Sequence, residues 1–188
     1  MARSTLRVAG LMLALCAMAL AASPAGVWLD VPYVAQTKDG CGAATLAMVM
    51  QYWQRQQGRP SGPAADATHI LDSLYAADAH GIYASAMVRY LQKNGYRAFA
   101  FTGDLPLLRH HLSQGRPLIA ALRPRGSRAL HYVVVAGMDP ERHLVLVNDP
   151  ARRKLQEEDE VTFVHEWEAT GRWTLLAVPA GGALPHQP

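Results

Sequence analysis

Cys41 is the residue whose type and position best predict covalent chemistry. It lies between two glycines, directly before apolar residues that recur at helical spacing. The free N–H groups at a helix N-terminus stabilise negative charge, so they favour the reactive thiolate form of a cysteine placed there. A thiolate at this position is suited to attack on an amide carbonyl. A buried, unreactive cysteine is the alternative that this position alone leaves open.

Three other side chains have types that would assist a thiolate. Gln36 lies on the turn before Cys41, where its amide N–H and the backbone N–H of Cys41 could both donate to a developing oxyanion. His131 opens an apolar run, and a histidine held at the start of a buried strand can act as general base and acid. Asp149 directly follows a second apolar run and could orient the imidazole.

Two local elements would have to position these groups. The apolar spacing predicts a helix from Cys41 to about Gln57, and Gly42 has no side chain that could cover the sulfur. The strand-like runs 131–136 and 144–148 are joined by seven residues, which predicts a β-hairpin. His131 and Asp149 would then lie side by side at its open end.

The remaining patterns predict the surrounding domain. Further helices are predicted over 65–78, 85–94, 105–113 and 165–168, and further strands over 27–34, 96–101, 117–122 and 173–178. Helices followed by a run of strands predict an α+β domain with an antiparallel sheet. Residues 152–160 carry three basic residues and then four acidic ones, which predicts a solvated loop of mixed charge.

The first 22 residues have the pattern of a secretory signal peptide. Arg3 and Arg7 precede an uninterrupted run of apolar or small residues that ends near Ala21. We therefore expect a signal peptide over 1–22, one domain over 23–179 and a loose tail over 180–188. Cleavage would place the protein in a periplasm or outside the cell, whereas an uncleaved segment would anchor it in a membrane. Cleavage also removes Cys16 and leaves Cys41 as the only cysteine.

Composition and motifs argue against several other functions. Without residues 1–22 the chain has 16 basic and 15 acidic residues, a net charge of +1, so we expect no nucleic-acid partner. No nucleotide or zinc motif occurs. His110 and His111 are adjacent and should point in different directions on a helix, and the other histidines lack ligand spacing. We predict no metal and no cofactor.

Taken in order, the motifs resemble those of cysteine peptidase family thirty-nine, the peptidases that process bacteriocins after double-glycine leaders. The residues that carry the resemblance are Gln36, Asp39-Gly40-Cys41-Gly42, His131-Tyr-Val-Val-Val and Asn148-Asp149-Pro150. It extends over about residues 31–179.

The resemblance implies a papain-like α+β fold, in which an N-terminal helical part carries Cys41 and a C-terminal antiparallel sheet carries His131 and Asp149. It implies that Cys41 is the nucleophile, His131 the base, Asp149 the orienting residue and Gln36 part of the oxyanion hole. The substrate would be a peptide or protein.

The chain departs from many family members in its organisation. Those members are often one domain of an ABC exporter, whereas no transporter or ATPase pattern occurs here. We expect a stand-alone exported peptidase whose N-terminal segment allows a transient association with the membrane or, if it is not cleaved, an anchor in it. Two alternatives remain open: a peptide-binding module without turnover, and a cell-wall peptide amidase that uses the same Cys/His chemistry.

Overall fold

A central antiparallel sheet with helices around it forms the described part of the chain. The computed structural model describes residues 26–181. The helices are α1 (Cys41–Gln56), α2 (Ala67–Leu74), α3 (Ala84–Lys93), α4 (Leu105–Ser113) and α5 (Glu160–Glu168), with a 3₁₀ turn at Pro63–Ala65. The strands are β1 (Val27–Trp28), β2 (Tyr96–Thr102), β3 (Leu118–Leu122), β4 (His131–Asp139), β5 (Leu144–Asn148), β6 (Gln156–Asp159) and β7 (Trp173–Pro179).

The order of the strands explains how distant residues meet. The sheet runs β2-β7-β3-β4-β5-β6, and β1 pairs with one end of β4. Every one of these pairings is antiparallel. The predicted α+β class and the pairing of the runs 131–136 and 144–148 are confirmed. The helical N-terminal part therefore carries Cys41 at the start of α1, and the sheet carries His131 at the start of β4.

Helix α1 is the buried centre of the helical part. It is rich in alanine and methionine, and all residues from Gly42 to Met50 are buried. A helix that is apolar on nearly every side is stable only when neighbours cover all of it. It packs against α2 and β4, and the indole Nε1 of Trp53 donates to the carbonyl of Ala177, 2.8 Å away. This packing fixes the N-terminus of α1 relative to the sheet.

The boundaries of three predicted elements were wrong. The strand predicted over 27–34 ends at Trp28, and the chain then runs as an irregular segment whose polar groups bond to the turn after β5. The helix predicted over 65–78 covers only 67–74, where the Asp66 carboxylate caps it. The short helix predicted over 165–168 begins earlier, at Glu160, because Asp159 accepts from the N–H groups of Val161 and Thr162.

The mixed-charge loop predicted over 152–160 is partly a strand. Residues 156–159 form β6, which pairs with β5 and ends the sheet on that side. An edge strand can carry charged side chains because one side faces water while its backbone still pairs. The charges of this stretch also form contacts: Arg142 bonds Glu157 with both terminal nitrogens at 3.0 Å.

The predicted terminal segments cannot be compared with the fold. The signal peptide over 1–22 and most of the tail over 180–188 lie outside the described residues. Within residues 26–181, no helix combines the length and the apolar character that crossing a membrane requires.

Candidate active site

Cys41 is the first residue of α1. The turn at Lys38–Asp39 leads into Gly40, whose N–H donates to the carbonyl of Thr37 at 3.0 Å. Gly40 caps the helix without a side-chain hydrogen bond, so the first N–H groups of α1 have no capping acceptor. The thiol of Cys41 is free and only partly buried. The predicted position of Cys41, at the N-terminus of a helix, is observed.

The β4–β5 hairpin brings His131 and Asp149 together. Its last pair on this side is Val134 with Asn148, and a bulge lies between Val135 and Gly137. His131 is therefore three residues beyond the last pair, whereas Asp149 is only one residue beyond. The longer arm places the His131 imidazole over the carboxylate, and its Nε2–H donates to Asp149 Oδ1 at 2.7 Å. The predicted proximity of the two side chains is observed.

His131 also contacts the thiol of Cys41. Burial disfavours its protonated form, but hydrogen bonds and charge from Asp149 and Cys41 outweigh burial and raise the pKa of His131 to about 9. Because Nε2 is bonded to Asp149, the ring nitrogen left for the thiol is Nδ1. The three side chains thus form one line, with the His131 imidazole between the Asp149 carboxylate and the Cys41 thiol.

Asp149 is held as a carboxylate. Its side chain is 7% exposed, and burial alone would favour the neutral acid. The hydrogen bond and charge of His131, the N–H of Ala151 at 2.9 Å and the charge of Arg152 together lower the pKa of Asp149 below its usual value. Arg152 Nε lies 3.5 Å from Asp149 Oδ2 and its Nη1 lies 3.5 Å from Glu158. Sequence reasoning missed Arg152, because it lay in the stretch interpreted as a solvated loop.

Buried polar groups connect the segment before Cys41 to the turn that holds Asp149. Asn148 is fully buried; its amide donates to the carbonyl of Val31 at 3.1 Å and accepts from the N–H of Leu155 at 2.9 Å. The N–H of Gln36 donates to the carbonyl of Pro150 at 2.9 Å. These bonds fix Gln36 and Asp149 relative to each other. From the sequence, Asn148 was recognisable only as part of the motif that contains Asp149.

Gln36 lies beside the N-terminus of α1, but its side chain faces partly inward. Its Oε1 is buried without a hydrogen-bond partner among residues 26–181. Together with Gly40 and Ala43 it lines a small polar cavity of about 180 Å³. The structure therefore places Gln36 on the correct turn, whereas its participation in an oxyanion hole stays a prediction.

Gly42 allows close packing at the start of α1. It is buried, and a Cβ there would lie 3.3 Å from Cβ of Ile82 and 3.6 Å from Cδ2 of Tyr132. The glycine thus lets α1 pack tightly on its neighbours, and its predicted effect on access to the sulfur stays a prediction. Tyr132 is also close to Cys41. Burial and the charge of Cys41 raise the pKa of the Tyr132 hydroxyl to about 12.

The other histidines do not join this site. The prediction that His110 and His111 diverge was wrong, because their rings pack edge to face with centroids 5.5 Å apart. His111 turns inward against Phe101, and burial lowers its pKa. No group of three or more His, Cys, Asp or Glu side chains within residues 26–181 is arranged to hold a metal ion. The absence of a metal and of a cofactor stays a prediction.

Comparison with known proteins gives one family and several similar folds. The family model described as Peptidase_C39 like family matches residues 28–175, more than half of the chain. No curated protein sequence matches the chain significantly. A solved structure from Bacillus anthracis, assigned as a C39-like peptidase, is 18% identical, with a TM-score of 0.66 over 82% of this chain and 98% of that one.

Two further solved structures share the fold. The peptidase domain of Streptococcus ComA, a bifunctional ABC transporter of a quorum-sensing pathway, is 23% identical, with a TM-score of 0.61 over 78% of this chain and 97% of that one. A double-glycine-motif protease from an AMS/PCAT transporter, solved with its leader peptide, is 20% identical, with a TM-score of 0.61 over 81% of this chain and 94% of that one. At these identities the likeness concerns the fold.

Proposed function

Because this chain belongs to the Peptidase_C39-like family, as its motifs predicted, we propose that it is an exported cysteine peptidase that uses Cys41, His131, Asp149 and Gln36. Family and fold support a peptidase function. The observation that carries the finer proposal is the line from the Asp149 carboxylate through the His131 imidazole to the Cys41 thiol. Such a line supplies a nucleophile, a proton carrier and an orienting group.

The proposed reaction begins with a thiolate–imidazolium pair. Sγ of Cys41 attacks the carbonyl carbon of the scissile bond, and the carbonyl oxygen becomes negative. The imidazolium of His131 then protonates the leaving amine, and the C–N bond breaks to leave a thioester on Cys41. Neutral His131 next takes a proton from water, which attacks the thioester and releases the acid product. Asp149 keeps the ring oriented through both steps.

The negative carbonyl oxygen needs hydrogen-bond donors. The N–H of Cys41 belongs to the uncapped first turn of α1 and is one such donor. We propose the side-chain amide of Gln36 as the second. Gln36 lines the small cavity that Gly40 and Ala43 also line, next to the N-terminus of α1. Its backbone N–H, fixed to Pro150, limits movement of the side chain.

Replacement of Gln36 by alanine is expected to lower kcat by about 10²-fold or more, because one oxyanion donor is lost. KM should change little, since the donor acts mainly on the transition state. Gln92→Ala, on the exposed face of α3, is the matched control and should retain full activity. Equal kcat values for the Gln36 and Gln92 variants would contradict the proposed role.

The value of kcat/KM for peptide hydrolysis should fall at alkaline pH, with a midpoint near 9. His131 must be protonated to release the amine, and its pKa is about 9. Asp149→Asn removes a carboxylate that raises this pKa, so the alkaline limb should move to lower pH. The measurement is kcat/KM against pH for both proteins, with Asp72→Asn as an exposed control. An unchanged alkaline limb in Asp149→Asn would disprove the coupling.

The substrate class is a peptide or protein outside the cytoplasm. The leader-peptide complex supports binding of a peptide by this fold, but the leader belongs to that relative. The N-terminal pattern, which favours export, supports a substrate of the cell envelope or the exterior. We therefore propose hydrolysis of peptide bonds in substrates of the cell envelope or the exterior.

The test is mass-spectrometric profiling of a peptide library incubated with the purified protein. The proposal predicts cleavage products that are absent with Cys41→Ala. Peptide binding without any product would favour a non-catalytic binding module. Products from purified peptidoglycan, with none from the library, would favour a cell-wall amidase. A zinc-chelator control should leave the activity unchanged.

A further inference from the structure

A strongly basic loop adjoins the proposed site and has no purpose in the chemistry described so far. Residues 123–130 connect β3 to β4 and read Arg-Pro-Arg-Gly-Ser-Arg-Ala-Leu. We refer to them as the basic loop. It contains three exposed arginines and no acidic residue.

The sheet register places this loop at the catalytic end of the sheet. The last pair of β3 and β4 is Leu122 with His131, so the loop projects directly from the base of the proposed site. Arg128 is three residues before His131, which limits their Cα separation to about 10 Å. A substrate peptide advances about 3.4 Å per residue when extended. The guanidinium groups thus lie within reach of residues close to the scissile bond.

The backbone of the basic loop is held while its charges stay free. The N–H of Arg123 donates to the carbonyl of Glu166 at 2.9 Å, and that of Arg125 to the Glu166 carboxylate at 3.3 Å. The N–H of Ser127 closes a turn on the carbonyl of Pro124 at 2.9 Å. Within the described residues, none of the three guanidinium groups forms an ion pair with a carboxylate.

A fourth arginine lies on the turn after β5, where its carbonyl accepts the N–H of Asp149 at 3.1 Å. Arg153 follows Asp149 by four residues, is exposed and likewise forms no ion pair within residues 26–181. The two basic residues beside it do form ion pairs: Arg152 with Asp149, and Lys154 with Asp30. Exposed arginines therefore lie near both His131 and Asp149 along the chain.

The acidic groups near the loop are already engaged. Glu158 accepts from Gln156 Nε2 at 2.6 Å and lies 3.5 Å from Arg152. Glu166 accepts the backbone N–H of Arg125. These carboxylates line a cavity of about 420 Å³ beside His131 and Asp149. Within residues 26–181, neither carboxylate forms an ion pair with a guanidinium of the basic loop.

We propose that the basic loop, together with Arg153, makes the enzyme select peptides that carry Asp or Glu within a few residues of the scissile bond. This inference rests on the proposed peptidase function and adds the chemistry of its substrate. Charges at the rim of a site act mainly on encounter and selection, and salt screens them. Each exposed pair typically contributes a factor of about two to five. Several together should give a preference of about tenfold.

The experiment profiles cleavage of a library that holds acidic, neutral and basic residues at matched frequency. The wild-type protein should enrich Asp and Glu near the cleaved bonds, and the preference should decline between 50 mM and 500 mM salt. The variant Arg123→Gln/Arg125→Gln/Arg128→Gln should lose most of the preference while cleaving neutral peptides at nearly the wild-type rate.

A matched control removes the same charge elsewhere. Arg59, Arg89 and Arg97 are exposed, lie away from the β3–β4 and β4–β5 ends, and are replaced by glutamine in a second triple variant. That variant should keep the acidic preference. Equal selection by both triple variants would overturn the inference while leaving the peptidase proposal standing. Cleavage of no peptide by the wild type would overturn both.

The same variants test whether the basic loop binds the anionic headgroups of a membrane instead of an acidic peptide. Sedimentation with vesicles of anionic phospholipid should not depend on the basic loop. If the loop variant lost vesicle binding and kept the acidic-peptide preference, the loop would bind lipid headgroups, and the inference would be wrong.

Discussion

Cys41→Ala is expected to reduce peptide hydrolysis by at least about 10⁴-fold, the largest effect of any single substitution in this protein. Alanine removes the only atom that can form the thioester. The other donors and the orienting groups stay in place, so peptides should still bind with nearly unchanged affinity. The assay compares initial rates on a cleaved library peptide and peptide affinity by fluorescence anisotropy.

Stability provides the control for this substitution. Cys41 is partly exposed and makes no disulfide, so alanine should change the free energy of unfolding by no more than about 1 kcal/mol. Urea unfolding followed by far-UV circular dichroism measures this. Cys41→Ser keeps a hydroxyl of similar shape and should also be nearly inactive, because an alcohol here is a far weaker nucleophile. Hydrolysis retained by both variants would rule out covalent catalysis by Cys41.

His131→Ala is expected to lower kcat by about 10³- to 10⁴-fold, because the proton carrier of both half-reactions is lost. It should also slow alkylation of Cys41 by iodoacetamide at pH 7, since the imidazolium that favours the thiolate is gone. The measurements are the hydrolysis rate and the rate of adduct formation by intact mass. His69→Ala, on the exposed face of α2, should change neither rate.

His131→Ala should also lower the stability of the fold. It leaves the buried Asp149 carboxylate without its 2.7 Å partner, which should destabilise the fold by about 1–3 kcal/mol. His131→Gln keeps a side-chain N–H that can reach the carboxylate and should recover part of this stability but not the activity. Wild-type alkylation and hydrolysis rates in both variants would exclude His131 from the mechanism.

Strong local signals made part of the fold predictable. The predicted bounds of α4 and β5 match the structure, because Pro106 and the flanking Gly103 and Gly115 delimit α4 and an apolar run defines β5. The hairpin that joins His131 to Asp149 followed from two such runs and a short connection. Local sequence patterns were therefore enough to predict that His131 and Asp149 lie next to each other.

Other features depended on tertiary contacts that no local pattern shows. Strand β6 consists of Gln and three acids, and it forms only because β5 offers a backbone edge. The contact of the Arg152 side chain with Asp149 requires the tight turn after β5. In this turn the N–H of Arg152 donates to the carbonyl of Asp149 at 3.0 Å. The sequence predicted only that Gly42 leaves the sulfur of Cys41 accessible. Its close packing against Ile82 and Tyr132 could not be predicted, because these residues come from distant segments.

The most direct test of the account is to trap the covalent intermediate. A peptide ester substrate would be mixed with the protein, quenched with acid within milliseconds and analysed by intact and peptide mass spectrometry. We expect an acyl adduct on Cys41 that forms before the release of product reaches its steady rate and that is absent in Cys41→Ala. Turnover at the same rate without any adduct, or an adduct on another residue, would contradict it.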